Sequence, residues 1–177
     1  IKEFQFLIQR LSSEELIEHL QNYKNVSSYC DNLIVNMMAS GNQEEFDVLT
    51  SKLESDGKAD DIRTLMLDKD KDGRSGLSYA IELSAYNRDR YRGLLESVLK
   101  FCTAEDLALE LKSKNSKLAD MIRSSSLEQE MNRRLELIKS KLGEPLYKDV
   151  VEVNAKEISL EMISSKDEQF EKDVIAL

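Results

Sequence analysis

The stretch DKDGRSGLSYAI, residues 70–81, places turn residues, small residues and a helix start in one specific order. Asp70 and Gly73 are residue types that favour a tight turn. Ser75 is a favourable N-cap residue, and we expect it to cap a helix that begins near Leu77. The stretch therefore predicts a turn that opens a helix pair.

An acidic calcium loop is the alternative interpretation of this stretch. Asp68, Asp70 and Asp72 alternate along the chain, and Gly73 follows them. A standard calcium loop carries a bidentate Glu at its twelfth position. Counted from Asp68, that position holds Tyr79, which lacks a carboxylate. The pattern therefore favours the turn over the metal loop.

Composition predicts one helical domain with a real core. The chain has 177 residues, of which 41% are hydrophobic and 33% are charged, with one Pro, six Gly and no Trp. So few turn-forming residues are typical of helical proteins and not of a turn-rich β-sandwich. We expect an all-α fold. Because the first residue is Ile and not Met, we also expect a piece of a longer protein.

Three segments share a pattern of a short apolar helix, a polar or small break, and a second helix with apolar residues three or four apart. They begin at Ile34, Leu77 and Leu107. Their intervals are uneven, so the polar segment Glu54 to Asp61 and the residues 86–92 are predicted to be insertions. Self-similar helix pairs of this kind predict a repeat architecture.

The second segment resembles an ankyrin repeat, a unit of about 33 residues built from a turn and two antiparallel helices. The match comprises Asp70, Gly73 and the run SGLSYA at 75–80, against a family pattern of Asp, Gly and then Thr-Pro-Leu-His-x-Ala. Gly76 stands where the family has Pro, and Ser78 stands where it has His. The resemblance implies irregular ankyrin-like helix-pair repeats with an additional C-terminal helical segment.

Three parts follow along the chain. Residues 1–30 are predicted to form an N-terminal helical cap, 31–124 the ankyrin-like repeats and 125–177 a C-terminal helical extension. Within them, Ser12 with Glu15 is spaced as a capping box that starts a helix. Thr103 is predicted to cap another helix, with Asp106 at the third position placing negative charge in its first turn.

The C-terminal extension carries an amphipathic stripe over 127–142, predicted to be one helix that ends at Gly143 with Pro145 beyond it. Residues 146–153 contain β-branched residues and are compatible with a strand. Residues 155–163 are predicted to be helical again.

As a member of such a family, the chain would be a non-enzymatic scaffold that binds a partner protein through turn tips and inner helices. The basic and aromatic segment 86–92 is a further candidate for gripping phosphate or an acidic peptide, with a solvated helix face as its alternative. The predicted partner-binding residues are Lys69, Lys71, Arg74, Tyr79, Glu82, Arg88 and Arg90.

The sequence offers little support for catalysis or for a bound cofactor. His19 is the only histidine, which largely excludes a histidine-based triad or a multi-histidine zinc site. The chain has no glycine-rich phosphate-binding loop. We therefore predict no enzyme activity, no cofactor and no metal.

Net charge limits the classes of partner, and the cysteines indicate the cellular compartment. A formal charge of −9 argues against binding nucleic acid or an anionic membrane. Cys30 and Cys102 lie in apolar surroundings and predict reduced, buried thiols. Reduced thiols indicate a cytoplasmic protein. Irregular ankyrin-like units also look similar to those of effectors from intracellular bacteria, and an effector of that kind would act in the host cytosol.

The alternative function is a structural segment of a larger protein. In that hypothesis the stripe over 127–142 pairs with a second copy, and self-association through it is the expected readout.

Overall fold

The computed structural model describes residues 2–22, 33–84, 91, 93–113 and 128–165, and within these ranges the protein is helical and has no strand. The predicted all-α fold is confirmed. The helices are α1 Lys2–Arg10, α2 Ser13–Gln21, α3 Leu33–Ser40, α4 Gln43–Ser55, α5 Ala59–Leu67, α6 Gly76–Ser84, α7 Leu94–Leu99, α8 Ala104–Leu111 and α9 Glu128–Ser165.

The predicted capping box at Ser12 and the predicted helix cap at Thr103 are confirmed, and both form capping boxes. At α2, Ser12 Oγ accepts a hydrogen bond from the Glu15 backbone N–H (3.2 Å), and the Glu15 carboxylate accepts one from Ser12 N–H (2.8 Å). Thr103 and Asp106 repeat this arrangement at α8, with distances of 3.1 and 2.8 Å. Each box satisfies two N–H groups that would otherwise lack a partner in the first turn.

The core lies where α3 and α6 pack against each other. Helices α4 and α5 also pack against α3, while α7 and α8 pack against α6, and α9 covers α8. The largest fully buried side chains are Leu20, Ile34, Met38, Phe46, Leu49, Leu53, Ile62, Met66, Leu77, Ile81, Leu94 and Leu95. They belong to one continuous cluster.

Gly76 permits a close approach at the start of α6. A Cβ atom there would lie 3.1 Å from the Met66 carbonyl oxygen and 3.3 Å from Met38 Cγ. The missing side chain therefore lets α3 and α5 pack tightly against the first turn of α6. This close approach accounts physically for a glycine where the ankyrin pattern has Pro.

Helix α5 was not predicted and begins inside the polar segment Glu54 to Asp61; that this segment is an insertion between repeats stays a prediction. The chain turns at Asp56–Lys58, where Gly57 has a φ of 73°, and then forms α5. Ile62 and Met66 of that helix are fully buried. Burial of this apolar face stabilises the helix, and the acidic residues Asp60 and Asp61 in its first turn interact favourably with the helix dipole.

The C-terminal extension departs from its prediction in one place. The predicted helix end at Gly143 is confirmed, because Gly143 has a non-helical φ of 71° and ψ of 164° and separates two helical segments within α9. Pro145 lies in the first turn of the second segment, where Pro is tolerated. The strand-compatible run 146–153 is helical, because Val150 is fully buried and its packing overrides local propensity. The predicted helix over 155–163 is confirmed.

Candidate functional site

Asp70 organises the turn before α6. Its Oδ1 accepts hydrogen bonds from the backbone N–H groups of Asp72 (2.9 Å) and Arg74 (2.8 Å). Its Oδ2 accepts one from the Tyr79 hydroxyl (2.8 Å). Gly73 donates to the Asp70 carbonyl and has a φ of 74°, a conformation that glycine adopts without strain. Both carboxylate oxygens thus serve the turn, as the turn interpretation requires.

The hydrogen bonds to the Asp70 carboxylate also weaken the calcium interpretation. A calcium loop needs its aspartate oxygens directed at one centre, and those of Asp70 are directed at the turn's own donors. In the ranges that the structure covers, no three His, Cys, Asp or Glu side chains are grouped so that they could hold a metal ion.

Ser75 caps α6 as predicted. Its Oγ accepts a hydrogen bond from the Ser78 backbone N–H (3.1 Å), and Ser78 Oγ accepts one from Ser75 N–H (2.7 Å). The helix begins at Gly76, one residue before the expected start. Ser78, which stands where the ankyrin pattern has His, therefore completes a reciprocal cap.

Three predicted site residues lie together beside the turn. The Arg74 guanidinium donates to the Glu82 carboxylate (2.8 Å) and lies 5.5 Å from the centre of the Tyr79 ring. All three side chains are partly exposed. Lys71 is exposed at the tip of the same turn. The predicted residues Arg88 and Arg90 lie outside the described residues.

Lys69 faces the other way, toward α8. Its Nζ lies 2.6 Å from the Glu110 carboxylate, whose side chain is only 5% exposed. The hydroxyls of Ser75 and Ser113 also contact this carboxylate, at 3.4 and 3.3 Å. These contacts offset part of the cost of removing the Glu110 side chain from water.

A second ion pair ties α5 to α8. The Arg63 guanidinium donates two hydrogen bonds to the Asp106 carboxylate, at 2.7 and 2.9 Å. Hydrogen bonding from Arg63 and Thr103 lowers the pKa of Asp106 to about 2, although burial opposes this shift. The planar guanidinium fork makes this contact geometrically specific.

An open groove of about 350 Å³ lies between the end of α5 and α8. Its lining residues are Leu67, Lys69, Asp106, Leu109, Glu110, Lys112 and Ser113. Leu109 is 73% exposed, whereas Leu107 and Leu111 on the opposite face of α8 are buried. The sequence signal for this groove is an apolar residue on the polar face of an amphipathic helix.

Two other candidate groups are inert or exposed. The Cys102 thiol is free and buried, and burial raises its pKa to about 11. A thiol held in its protonated form is a poor nucleophile. His19 is exposed near the end of α2. In the described part of the chain, the helices are too short or too polar to cross a membrane.

No protein-family model, curated protein or solved structure matches the chain. The resemblance to ankyrin repeats is therefore untested and stays a prediction.

Proposed function

We propose that the chain is a non-enzymatic helical scaffold that binds a partner protein. The contact surface comprises the turn 69–75 and the exposed sides of α6 and α8. The observation that carries this proposal is the support of the turn: three hydrogen bonds to the Asp70 carboxylate hold it while Lys71 is exposed and Arg74 is partly exposed.

Rigid display of this kind favours binding. A preorganised surface loses little conformational entropy when a partner docks. Arg and Tyr are also enriched in protein interfaces because they combine a large contact area with hydrogen-bonding groups. Arg74 and Tyr79 supply both residue types at one place.

The ankyrin-like interpretation agrees with this choice of surface. Helices α3, α6 and α8 begin the three repeat-like segments, and α6 packs against both of the others. In a stacked array, the turns and first helices of neighbouring units form one extended surface. The proposed surface comprises the turn 69–75, which opens the middle segment, and α8, which begins the third segment.

Lys71→Glu is the variant that tests this proposal. Arg74 is less suitable, because its replacement also removes the Glu82 pair and the contact with the Tyr79 ring. Lys148→Glu, an exposed site on α9, is the matched control for net charge.

The experiment is affinity capture from a cell lysate with quantitative mass spectrometry, followed by affinity measurement with the captured protein. Lys71→Glu should weaken binding by about three- to tenfold, because reversal of a rim charge changes attraction into repulsion. Lys148→Glu should leave it unchanged. Equal binding by all three proteins, or no captured protein, contradicts the proposal.

The burial of the 127–142 stripe favours the scaffold over the oligomerisation alternative. Ile138 is fully buried and Leu142 is 5% exposed within the single chain. Helix α9 packs on α7 and α8 of the same chain. The described part of the stripe is thus largely buried against helices of the same chain.

A further inference from the structure

The groove between α5 and α8 combines an exposed apolar surface with charged side chains. Leu67 and Leu109 supply the apolar surface, and Lys69 and Lys112 supply ammonium groups. Its volume of about 350 Å³ suits one or two side chains of an extended peptide.

Leu109 is unusually available for binding. Large hydrophobic side chains exposed in the described part of the chain are Phe6, Leu109 and Val151, at 53%, 73% and 40%. Arg10 already covers one face of the Phe6 ring, with its guanidinium 4.1 Å from the ring centre. Leu109 is more exposed than either and lines a concave surface, so a partner's side chain could remove much of it from water.

The charges at the groove differ strongly in exposure. The side chains of Lys69 and Lys112 are 48% and 30% exposed, whereas those of Asp106 and Glu110 are 14% and 5% exposed. The lining residues therefore present ammonium groups to solvent and keep their carboxylates below the surface. This local polarity is opposite to the formal net charge of −9.

The lysines keep hydrogen-bonding capacity for a ligand. An ammonium group has three N–H donors. Lys69 Nζ contacts the Glu110 carboxylate at 2.6 Å, and Lys112 Nζ contacts the Asp149 carboxylate at 2.7 Å. Further donors on both groups can therefore bond to carboxylates of a ligand.

The groove's own carboxylates are poorly placed to bind a basic ligand. Asp106 accepts two hydrogen bonds from Arg63 and one from the Thr103 backbone N–H. Glu110 is buried and in contact with Lys69. A lysine or arginine of a partner would meet ammonium groups first.

From these contacts we propose that the groove binds an acidic peptide segment of the partner protein. An apolar side chain of that segment packs against Leu67 and Leu109, and flanking Asp or Glu carboxylates bind Lys69 and Lys112. This proposal rests on the proposed protein-binding function and adds the chemical class of the bound segment.

Panning of a random peptide library against the full chain provides the probe. The enriched peptides should contain a Leu, Ile, Met or Phe flanked by Asp or Glu. The affinity of one enriched peptide is then measured by fluorescence anisotropy for the wild type, Leu109→Asp, Lys112→Gln and the control Val151→Asp. Lys112 is preferred to Lys69 because its partner Asp149 is 51% exposed and tolerates loss of the pair.

Leu109→Asp should weaken the peptide at least about tenfold, because the lost apolar burial of one leucine is of that size. Lys112→Gln should weaken it about threefold, and the wild-type affinity should fall between about 0.05 M and about 0.5 M salt. Val151→Asp should bind like the wild type.

The groove proposal is overturned if the enriched peptides are neutral or basic, if no peptides are enriched, or if Leu109→Asp binds the peptide as tightly as the wild type. The wider function is tested separately by the Lys71→Glu capture. Capture that depends on Lys71 while the peptides fail would refute the groove and retain the scaffold.

Discussion

Asp106→Asn is expected to destabilise the protein near pH 7 and to cost less at lower pH. The Asp106 carboxylate binds Arg63 through two hydrogen bonds, at 2.7 and 2.9 Å. Its pKa falls from 3.8 to about 2, with the hydrogen bond from Arg63 as the largest cause. Asn keeps the side-chain oxygen that accepts from Thr103 N–H but loses the charge.

The magnitude follows from the pKa. A fall from 3.8 to about 2 corresponds to about 2.4 kcal/mol, at roughly 1.36 kcal/mol per pH unit. Arg63 is 41% exposed, so solvent screening reduces the expected cost to about 1–2 kcal/mol. A lowered carboxyl pKa stabilises the fold fully above 3.8, and this contribution disappears as the pH falls through about 2. Near pH 3, about half of it should remain.

Urea unfolding near pH 7 and near pH 3 measures this difference. Asp149→Asn is the matched control, because Asp149 also pairs with a cation but is 51% exposed; it should cost only about 0–0.5 kcal/mol. In a double-mutant cycle, Arg63→Gln and Asp106→Asn should couple by about 1 kcal/mol. A cost that is absent near pH 7, or equal at both pH values, would refute the assigned role of the pair.

Three further outcomes are expected. Gly41→Ala should lower the free energy of unfolding in urea by about 2 kcal/mol or more, because a Cβ atom there overlaps the Tyr91 ring and the φ is 70°. Gly57 has a φ of 73° but open space around it, so Gly57→Ala should cost about 1 kcal/mol. Equal costs would contradict the packing at Tyr91. In a Cys30→Ser background, Cys102 should react with a thiol reagent only after unfolding, since burial raises its pKa to about 11, and rapid labelling of the folded protein would count against that burial. Light scattering should give a monomer mass near 20.3 kDa over a wide concentration range, and a dimer would support self-association instead.

Local relations in the sequence were sufficient to predict three helix starts. The caps at Ser12, Ser75 and Thr103 each depend on residues at most three positions apart, so the chain carries the signal directly. The turn at Asp70 and Gly73 is predictable for the same reason.

Long-range pairing explains what the sequence did not reveal. The Arg63–Asp106 and Lys69–Glu110 contacts join residues that are 43 and 41 positions apart, and no local pattern connects them. The groove arises from those contacts, so only the exposed position of Leu109 could have indicated it.

Tertiary packing also overrode one local pattern, and one helix was missed. Helix α5 was missed because its acidic first turn belongs to the polar segment 54–61, although Ile62 and Met66 are placed for burial on one face. In α9, Val150 is β-branched but docks into the core, and Asn154 nearby donates to the Leu111 carbonyl of α8 at 3.1 Å. Packing against α8 thus makes residues 146–153 helical.

Hydrogen–deuterium exchange of the chain with and without its captured partner tests the central claim most directly. Partner binding should slow amide exchange in the turn 69–75 and in α6 around the partly exposed Tyr79 and Glu82, because docking excludes water from that surface. Exchange in α1 should stay unchanged. Protection confined to α1 or α9, with the turn exchanging at its free rate, would contradict the proposed binding surface.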